Sequence, residues 1–413
     1  MSTAGGHTAG EYGVREYDVA VIGLGGLGSA TANTLARRGM SVIAFEQFEL
    51  GHVRGASHGD SRIIRRSYHT AQYVRLTAEA YRCWREVEAE AGRAVITTTG
   101  GLDLFPPGAA IDPADYRSAL AEVGVEHEWL DGDEIRRRWP AFACGILVDG
   151  EMLAIHSPDT GIVPPARATG LLQELAVANG ARLRPRTPVA SLHPGGGEVV
   201  VVTTGGRRVR CGAVVVCADA WTNRLLAPLG HRVPLTVTRE QVSHFPIGHR
   251  EDLAIGRFPV WIWMDDPSYY GFPVYGVAEP TGAPGSTPQI KASEDCGGPV
   301  VDPDTRRFDP GPGMEQRLTG FLRQLLGSGL GPPRSSTCLY TLTTDRDFVA
   351  DRLDEHPNVV VGLGAAHGFK FAAWFGEVLA DLAVGGEPGV ELAPFALGRR
   401  GLDGAADRSS WLV

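Results

Sequence analysis

Three glycines, at 23, 25 and 28, and an acid at 46 are the first residues of this chain whose types and spacing suit a defined chemistry. The glycines follow the pattern G-x-G-x-x-G, which fits a pyrophosphate. Gly23 makes a tight turn, Gly25 lets the backbone come close because it carries no Cβ, and Gly28 lets a helix lie close on its strands. The start of such a helix turns unpaired N–H groups and the positive end of its dipole toward the phosphates. Glu46 would accept hydrogen bonds from an adenosine ribose diol, and its charge disfavours a 2′-phosphate, which argues against NADP. Soon after come His58, Arg62 and Arg65, in ASHGDSRIIRRSYH (56–69), with Ile63 and Ile64 among them. Such a run is often a solvated turn. Placed directly after a nucleotide-binding unit, a basic cluster suits an anionic ligand.

Those residues need elements to hold them. Tyr17–Ile22 reads as a short buried strand, Ser29–Arg38 as a helix with Ala32, Leu35 and Ala36 inward, and Ser41–Phe45 as a second strand. Together they form a βαβ unit with Glu46 at its end. Helical spacing recurs over 72–92, and over 113–123, where Asp112 is placed to cap and Pro113 to open the helix. Residues 127–139 carry a short strand and a charged surface helix. A helix over 166–180 leads to strands near 182–192, 198–203 and 207–211. The apolar run 213–217 reads as a return to the central sheet, with ADAWTN (218–223) as a turn. From 233 to 334 strands alternate with proline-rich turns, which predicts an antiparallel sheet. Residues 278–290 look like an inserted proline-rich loop, and 313–327 like a helix. NVVVGLG (358–364) is a buried strand ending in a glycine turn, and another helix follows it. The fold expected is α/β (α+β). A nucleotide-binding domain is assembled from 17–95, 155–232 and 335–395, with a β-rich domain from 96–154 and 233–334 inserted in it. A leader over 1–16 and a tail over 396–413 flank them.

Composition narrows the function. A chain of 413 residues is too long for one ordinary core. A net charge of −9 without a basic block gives no reason to expect nucleic acid or membrane as partner. The six cysteines form no C-x-x-C pair, so neither a zinc site nor a disulfide framework is expected, and a reducing cytoplasm is the default location. The polar first ten residues lack the apolar core of a signal peptide. No apolar run reaches the ~18 residues that span a bilayer.

Five ordered motifs complete the reading: GLGGLG, HGDSRIIR, YYGFP, TCLYTLTTD and HGFKF. Between about Tyr17 and Phe395 the chain resembles the monomeric sarcosine oxidase and N-methyltryptophan oxidase family, which also contains pipecolate oxidases. The resemblance implies an FAD-binding Rossmann-like domain with a β-rich substrate domain. It implies a monomer that oxidises a C–N bond of an N-methyl or cyclic secondary amino acid to an imine, with O2 reduced to hydrogen peroxide. Cys338 matches the cysteine that tethers FAD covalently. His58 and Arg62 match residues beside the flavin ring, where a cation stabilises the anionic reduced state. Ser61, Gly364, His367 and Gly368, with Lys370, fall in the motifs that hold the cofactor. Arg65 and Lys370 match the pair that holds the substrate carboxylate. Lys291, the single lysine between YYGFP and Cys338, matches a lysine that promotes reaction with oxygen. Tyr269 and Tyr270 match an aromatic pair beside the substrate. Trp261 and Trp263 alternate on the neighbouring strand; they are either core or pocket, and in the pocket they would favour a bulky or cyclic substrate. Asp295 stands where the family has a histidine, and Ala365 and Ala366 where it has Ser-Gly. Three other functions compete: an NAD-dependent dehydrogenase, an FAD dehydrogenase that does not use O2, and a non-catalytic flavin-binding protein.

Overall fold

The computed structural model describes residues 15–275 and 288–403. Most of the leader expected over 1–16, most of the loop over 278–290 and the last ten residues of the tail lie outside the described residues.

The opening unit consists of β1 (Tyr17–Ile22), α1 (Gly26–Arg37) and β2 (Val42–Phe45). The helix begins within the glycine run, three residues earlier than its apolar spacing suggests. β1 pairs parallel with β2 on one side and with Arg208–Val216 on the other. Arg182–Arg184 extends the parallel order beyond β2, and His356–Leu363 extends it beyond Val214–Val216. Residues 207–211 and 213–217 are one strand, because Gly212 does not interrupt the pairing. One face of this sheet is covered by α1, Ala71–Ala91, Pro165–Ala178 and Ala372–Ala383, with Val19, Val21, Leu35 and Leu379 in the shared core. Burying each such aliphatic side chain contributes roughly 1.5–3 kcal/mol. Among the described residues, the opposite face carries no second layer of long helices. The strands Val189–Gly195 and Glu198–Thr203 and the short helix Thr222–Leu226 pack there.

Among the described residues the second sheet has eight strands, in the order 334–343, 235–246, 289–294, 269–272, 260–263, 101–105, 153–157, 128–131. All neighbours are antiparallel except 260–263 and 101–105, which run parallel, with Trp261 opposite Leu102. Within 233–334 every pairing between the described strands is antiparallel, as its strand and turn pattern predicts; the parallel junction brings in 101–105 from outside that stretch. Alternation along a strand reports which face is buried and is silent on the partner's direction. Residues 155–157 and 335–343, grouped by sequence with the nucleotide-binding segments, hydrogen-bond in this second sheet. The helix Pro312–Leu326 packs on it through Leu318, Leu322, Leu325 and Leu326. A third, small sheet joins Arg62–Ile64 to Gly161–Val163 and Thr97–Thr98. Asp112 caps its helix by accepting from the Ala114 N–H at 2.8 Å, with Pro113 in the first turn.

Candidate active site

Two cavities meet where the two large sheets face each other. The larger, about 310 Å³, runs along the ends of the parallel strands and is lined by Gly23, Gly25, Glu46, Asp219, Thr341 and Gly364 among others. The smaller, about 110 Å³, is lined by Arg65, Ile262, Met264, Tyr270, Asp295 and Lys370 among others. Arg62, Tyr340, Ala366 and Phe369 belong to the walls of both.

In the larger cavity the glycines do what their spacing requires. Gly23 has φ +93°, and a Cβ on it would run into the Cys217 carbonyl; one on Gly28 would run into the carbonyl of Gly23. Gly25 lies against Ser57, whose Oγ accepts the Gly26 N–H at 2.9 Å. Glu46 is buried. Its Oε2 accepts from the Leu24 N–H at 2.9 Å and its Oε1 from the Phe48 N–H at 3.0 Å. Burial raises its pKa, but His52 and those N–H groups outweigh it and hold the carboxyl below its ordinary value. Glu46 is therefore charged at neutral pH. Gly368 also lines this cavity, and a Cβ on Gly364 would press on it.

Ser61 gathers the cations at the junction. Lys291 Nζ donates to the Ser61 carbonyl at 2.7 Å and to its hydroxyl at 3.1 Å, and stands 4.7 Å from the Phe272 ring centre. Arg62 donates to the same carbonyl at 2.9 Å and to that of Ala56 at 3.0 Å. Burial and the neighbouring Arg62 push Lys291 well below the usual lysine range. Neither Lys291 nor Ser61 is among the lining residues of the two cavities; Lys291 stands beside their walls at Arg62 and Phe272. His58 is driven down to about 4, by burial first and then by Arg62 and Lys291, so it is neutral at pH 7. The positive charge expected from His58 is thus carried by Arg62. Cys338 is buried opposite Glu240 on the strand 334–343. Burial raises its thiol pKa, and Arg62 and Lys291 pull the other way. Cys338 and Tyr340 are two residues apart, so they share a face of that strand.

The smaller cavity holds Arg65 and Lys370 together. Arg65 Nη1 donates to Asp103 at 3.0 Å, and the guanidinium lies 4.8 Å from the Tyr68 ring. Burial lowers the pKa of Arg65 but Asp103 more than restores it, so Arg65 keeps its charge. Lys370 Nζ donates to the His367 carbonyl at 3.3 Å and stands 5.5 Å from the centre of the Tyr68 ring. Burial and Arg65 bring it down to about 7. Across the cavity, Tyr340 donates to Asp295 at 3.2 Å, and burial raises the pKa of Asp295. His367 Nε2 faces the Arg346 carbonyl at 2.9 Å and must carry the proton there, because a carbonyl only accepts.

Two expected substrate contacts point elsewhere. Tyr269 is stacked on Phe321 at 4.0 Å, and Trp263 meets the same ring edge-on at 5.3 Å. Both belong to the second sheet's core, as does Trp261. The two-residue period of a strand explains it. Ile262 pairs with Tyr270, and these side chains, with Met264, face the cavity. Tyr340, Asp103 and Arg346 escaped the sequence reading. Asp103 had a legible signal, an acid inside the apolar strand GLDLF; Tyr340 lay within TCLYT.

A cleft shaped for a dinucleotide beside a small cationic pocket defines a class, and the comparisons with known proteins agree. The family profile described as FAD dependent oxidoreductase matches residues 18–382, and the chain belongs to that family. Within it the similarity is to the sarcosine oxidases. The chain is 32% identical over 392 residues to the monomeric sarcosine oxidase of Bacillus sp. (strain B-0618), covering 94% of this chain and 97% of that one. It is 29% identical over 391 residues to the N-methyl-L-tryptophan oxidase of Yersinia pestis (strain Pestoides F), covering 93% and 99%. Among solved structures, a Tyr258Phe mutant of NikD, an amino acid oxidase of nikkomycin biosynthesis, superposes with a TM-score of 0.81 at 28% identity, covering 93% of this chain and 97% of that one. No helix among the described residues is long and apolar enough to cross a membrane.

Proposed function

We propose that this chain is a cytoplasmic, monomeric amine oxidase that converts the C–N bond of a small N-methyl or cyclic amino acid to an imine and passes the electrons to dioxygen, yielding hydrogen peroxide. One observation carries it: a cationic pocket holding Arg65 and Lys370 shares a wall with the dinucleotide cleft. FAD in that cleft supplies a two-electron acceptor. It would be held by the turn at Gly23, Gly25 and Gly28, by Glu46 at the ribose, by Gly364 and Gly368, and by a thioether to Cys338. Arg65 and Lys370 fix the substrate carboxylate, which returns to Lys370 the charge that burial has weakened. Arg62 offsets negative charge that develops on the ring. Ile262, Met264 and Tyr270 exclude water and bound the amine side, and the removal of Trp261 and Trp263 to the core argues for a small substrate.

A second reading, an FAD dehydrogenase that hands electrons to a carrier, is favoured by the place of Lys291 beside the cavity walls and not in them. The test is an anaerobic titration with sarcosine, proline and pipecolate, followed by admission of oxygen. Flavin bleaching and then stoichiometric peroxide are expected. Bleaching without reoxidation selects the dehydrogenase, and no bleaching by any amino acid defeats both readings. Acid precipitation of the same protein should leave the yellow colour in the pellet; in Cys338→Ser the colour should pass to the supernatant.

A further inference from the structure

Asp219 occupies a place that ordinary packing does not explain. It follows Arg208–Val216 at the turn where the chain leaves the parallel sheet. Its φ is +45°, in the left-handed region that non-glycine residues avoid. Strain of this kind gathers at ligand clamps. Its Oδ2 is shut off from solvent and finds no hydrogen-bond partner among the described residues. Thr341, on the facing strand of the second sheet, is 2% exposed, and its hydroxyl is also unpartnered among the described residues. Both residues line the large cavity. Burial raises the pKa of Asp219 to about 6; the Thr341 hydroxyl and the Ala220 N–H lie near enough to oppose the rise without closing a hydrogen bond on Oδ2, and the carboxyl is ionised at pH 7.5.

The place along the cavity is set by the neighbours. A Cβ on Gly23 would come within 3.3 Å of the Ala218 Cα, so Asp219 lies beside the glycine turn. Thr341 is next to Tyr340, which stands where the two cavities meet. The order along the cleft is therefore Glu46, the glycine turn, Asp219 with Thr341, then Arg62 and Tyr340. A dinucleotide laid along it puts ribose at the first, pyrophosphate at the second and the flavin ring at the last. The stretch between pyrophosphate and ring is a chain of hydroxyl groups. A carboxylate repels phosphate, but it accepts strongly from hydroxyls.

We infer that Asp219, with Thr341 beside it, is a cofactor-binding residue that takes the ribityl hydroxyls of FAD. The inference rests on FAD filling the large cavity. The strained turn presents the carboxylate to the polyol, and the bound hydroxyls supply the partners that the protein leaves out.

The test uses the full chain carrying Cys338→Ser, so that flavin exchanges, stripped of cofactor and titrated at pH 7.5. FAD binding is read by flavin fluorescence, and ADP binding by calorimetry. ADP carries the ribose and pyrophosphate and lacks the ribityl chain. Asp219→Gly removes the carboxylate and relieves the left-handed strain, so a loss in it does not come from misfolding. Its FAD Kd should rise about tenfold, as for one lost charge-assisted hydrogen bond, while the ADP Kd stays within twofold. Asp219→Asn should recover part of the loss, because its amide oxygen still accepts. An FAD Kd within twofold of the parent in Asp219→Gly overturns the inference. Equal weakening of FAD and ADP also overturns it, because the carboxylate would then serve the turn or the adenosine end. A parent protein that binds ADP but not FAD overturns the assignment of the cavity to FAD, and the role of Asp219 with it.

Discussion

The two cavities are built on opposite principles. In the larger one, the walls proposed to take adenosine and pyrophosphate are backbone and one acid within residues 17–46. Glu46 already accepts two backbone N–H groups without a ligand, which fixes its carboxylate and leaves acceptor sites for a ribose. The smaller cavity is made of side chains brought from strands far apart in sequence, and its ionisable groups are pushed toward neutrality. Lys370 falls to about 7, Asp295 is raised and His367 is well below its usual value, each chiefly by burial. The glycine-turn end of the first site is finished before its ligand arrives, whereas Asp219 and Thr341 further along it are not. The second holds groups whose charge a ligand completes, which is where perturbed titration tends to mark function.

The comparison breaks if damage to one cavity spreads to the other. The largest effect is expected from Lys370→Met. Removing one partner of a desolvated charge pair costs roughly 2–5 kcal/mol. On an amino-acid substrate kcat/KM should fall on the order of a thousandfold, while the protein-bound flavin, read by absorbance, is unchanged. Loss of flavin with activity would show that the two cavities are one unit. Arg65→Met should match it in activity but also lower Tm, because it strands the buried Asp103.

The next effect tests the junction. Lys291→Met should be reduced by substrate at a near-normal rate in stopped flow, while reoxidation by oxygen slows about a hundredfold, ~2.7 kcal/mol at the tenfold rule. A buried cation lowers the cost of forming superoxide nearby. Reoxidation at the wild-type rate would shift that role to Arg62, which lines both cavities.

A smaller effect sharpens the electrostatic contrast. A carboxylate without an amine, such as cyclopentanecarboxylate, should bind the reduced-size pocket through protonated Lys370. Above pH about 7 Lys370 loses its proton, so affinity should be level below that point and fall toward tenfold per unit above it. The profile should be flat in Lys370→Met. From about pH 7.5 to 8.5, ADP binding to the larger cavity should stay level, because Glu46, Asp219 and the phosphates of ADP are all ionised there. Parallel pH profiles for the two ligands would erase the distinction. The smallest effect is reserved for a residue outside both cavities. Trp263→Phe should lower stability by ~1 kcal/mol through lost packing on Phe321 and leave KM within twofold. A KM change larger than that would return Trp263 to the substrate wall.

The same contrast decides what the sequence made legible. Gly28 against Gly23, Glu46 against Leu24 and the Asp112 cap depend on partners a few to some twenty residues away, so their patterns could be read directly. The contact of Lys291 with Ser61 spans 230 residues, and no local pattern announces that Lys291 would end beside the wall and not in it. Tyr269 and Tyr270 are adjacent, so one of them had to face away, and pairing with Ile262 chose Tyr270 for the cavity. His58 was legible as a member of a basic cluster. Its neutrality was not, because that follows from burial beside two stronger cations.

The strand 334–343 carries a consequence for folding. Cys338, Tyr340 and Thr341 lie on it in sequence, and its ten-residue ladder with 235–246 fixes which side each one faces. A slip of one residue would turn Cys338 to the wrong side of the sheet. Only chains paired in the correct register would then present a thiol to the flavin. With the thioether proposed at Cys338, the yellow of an acid-washed pellet would count correctly threaded molecules: a chemical stamp that survives denaturation and can be read on a gel.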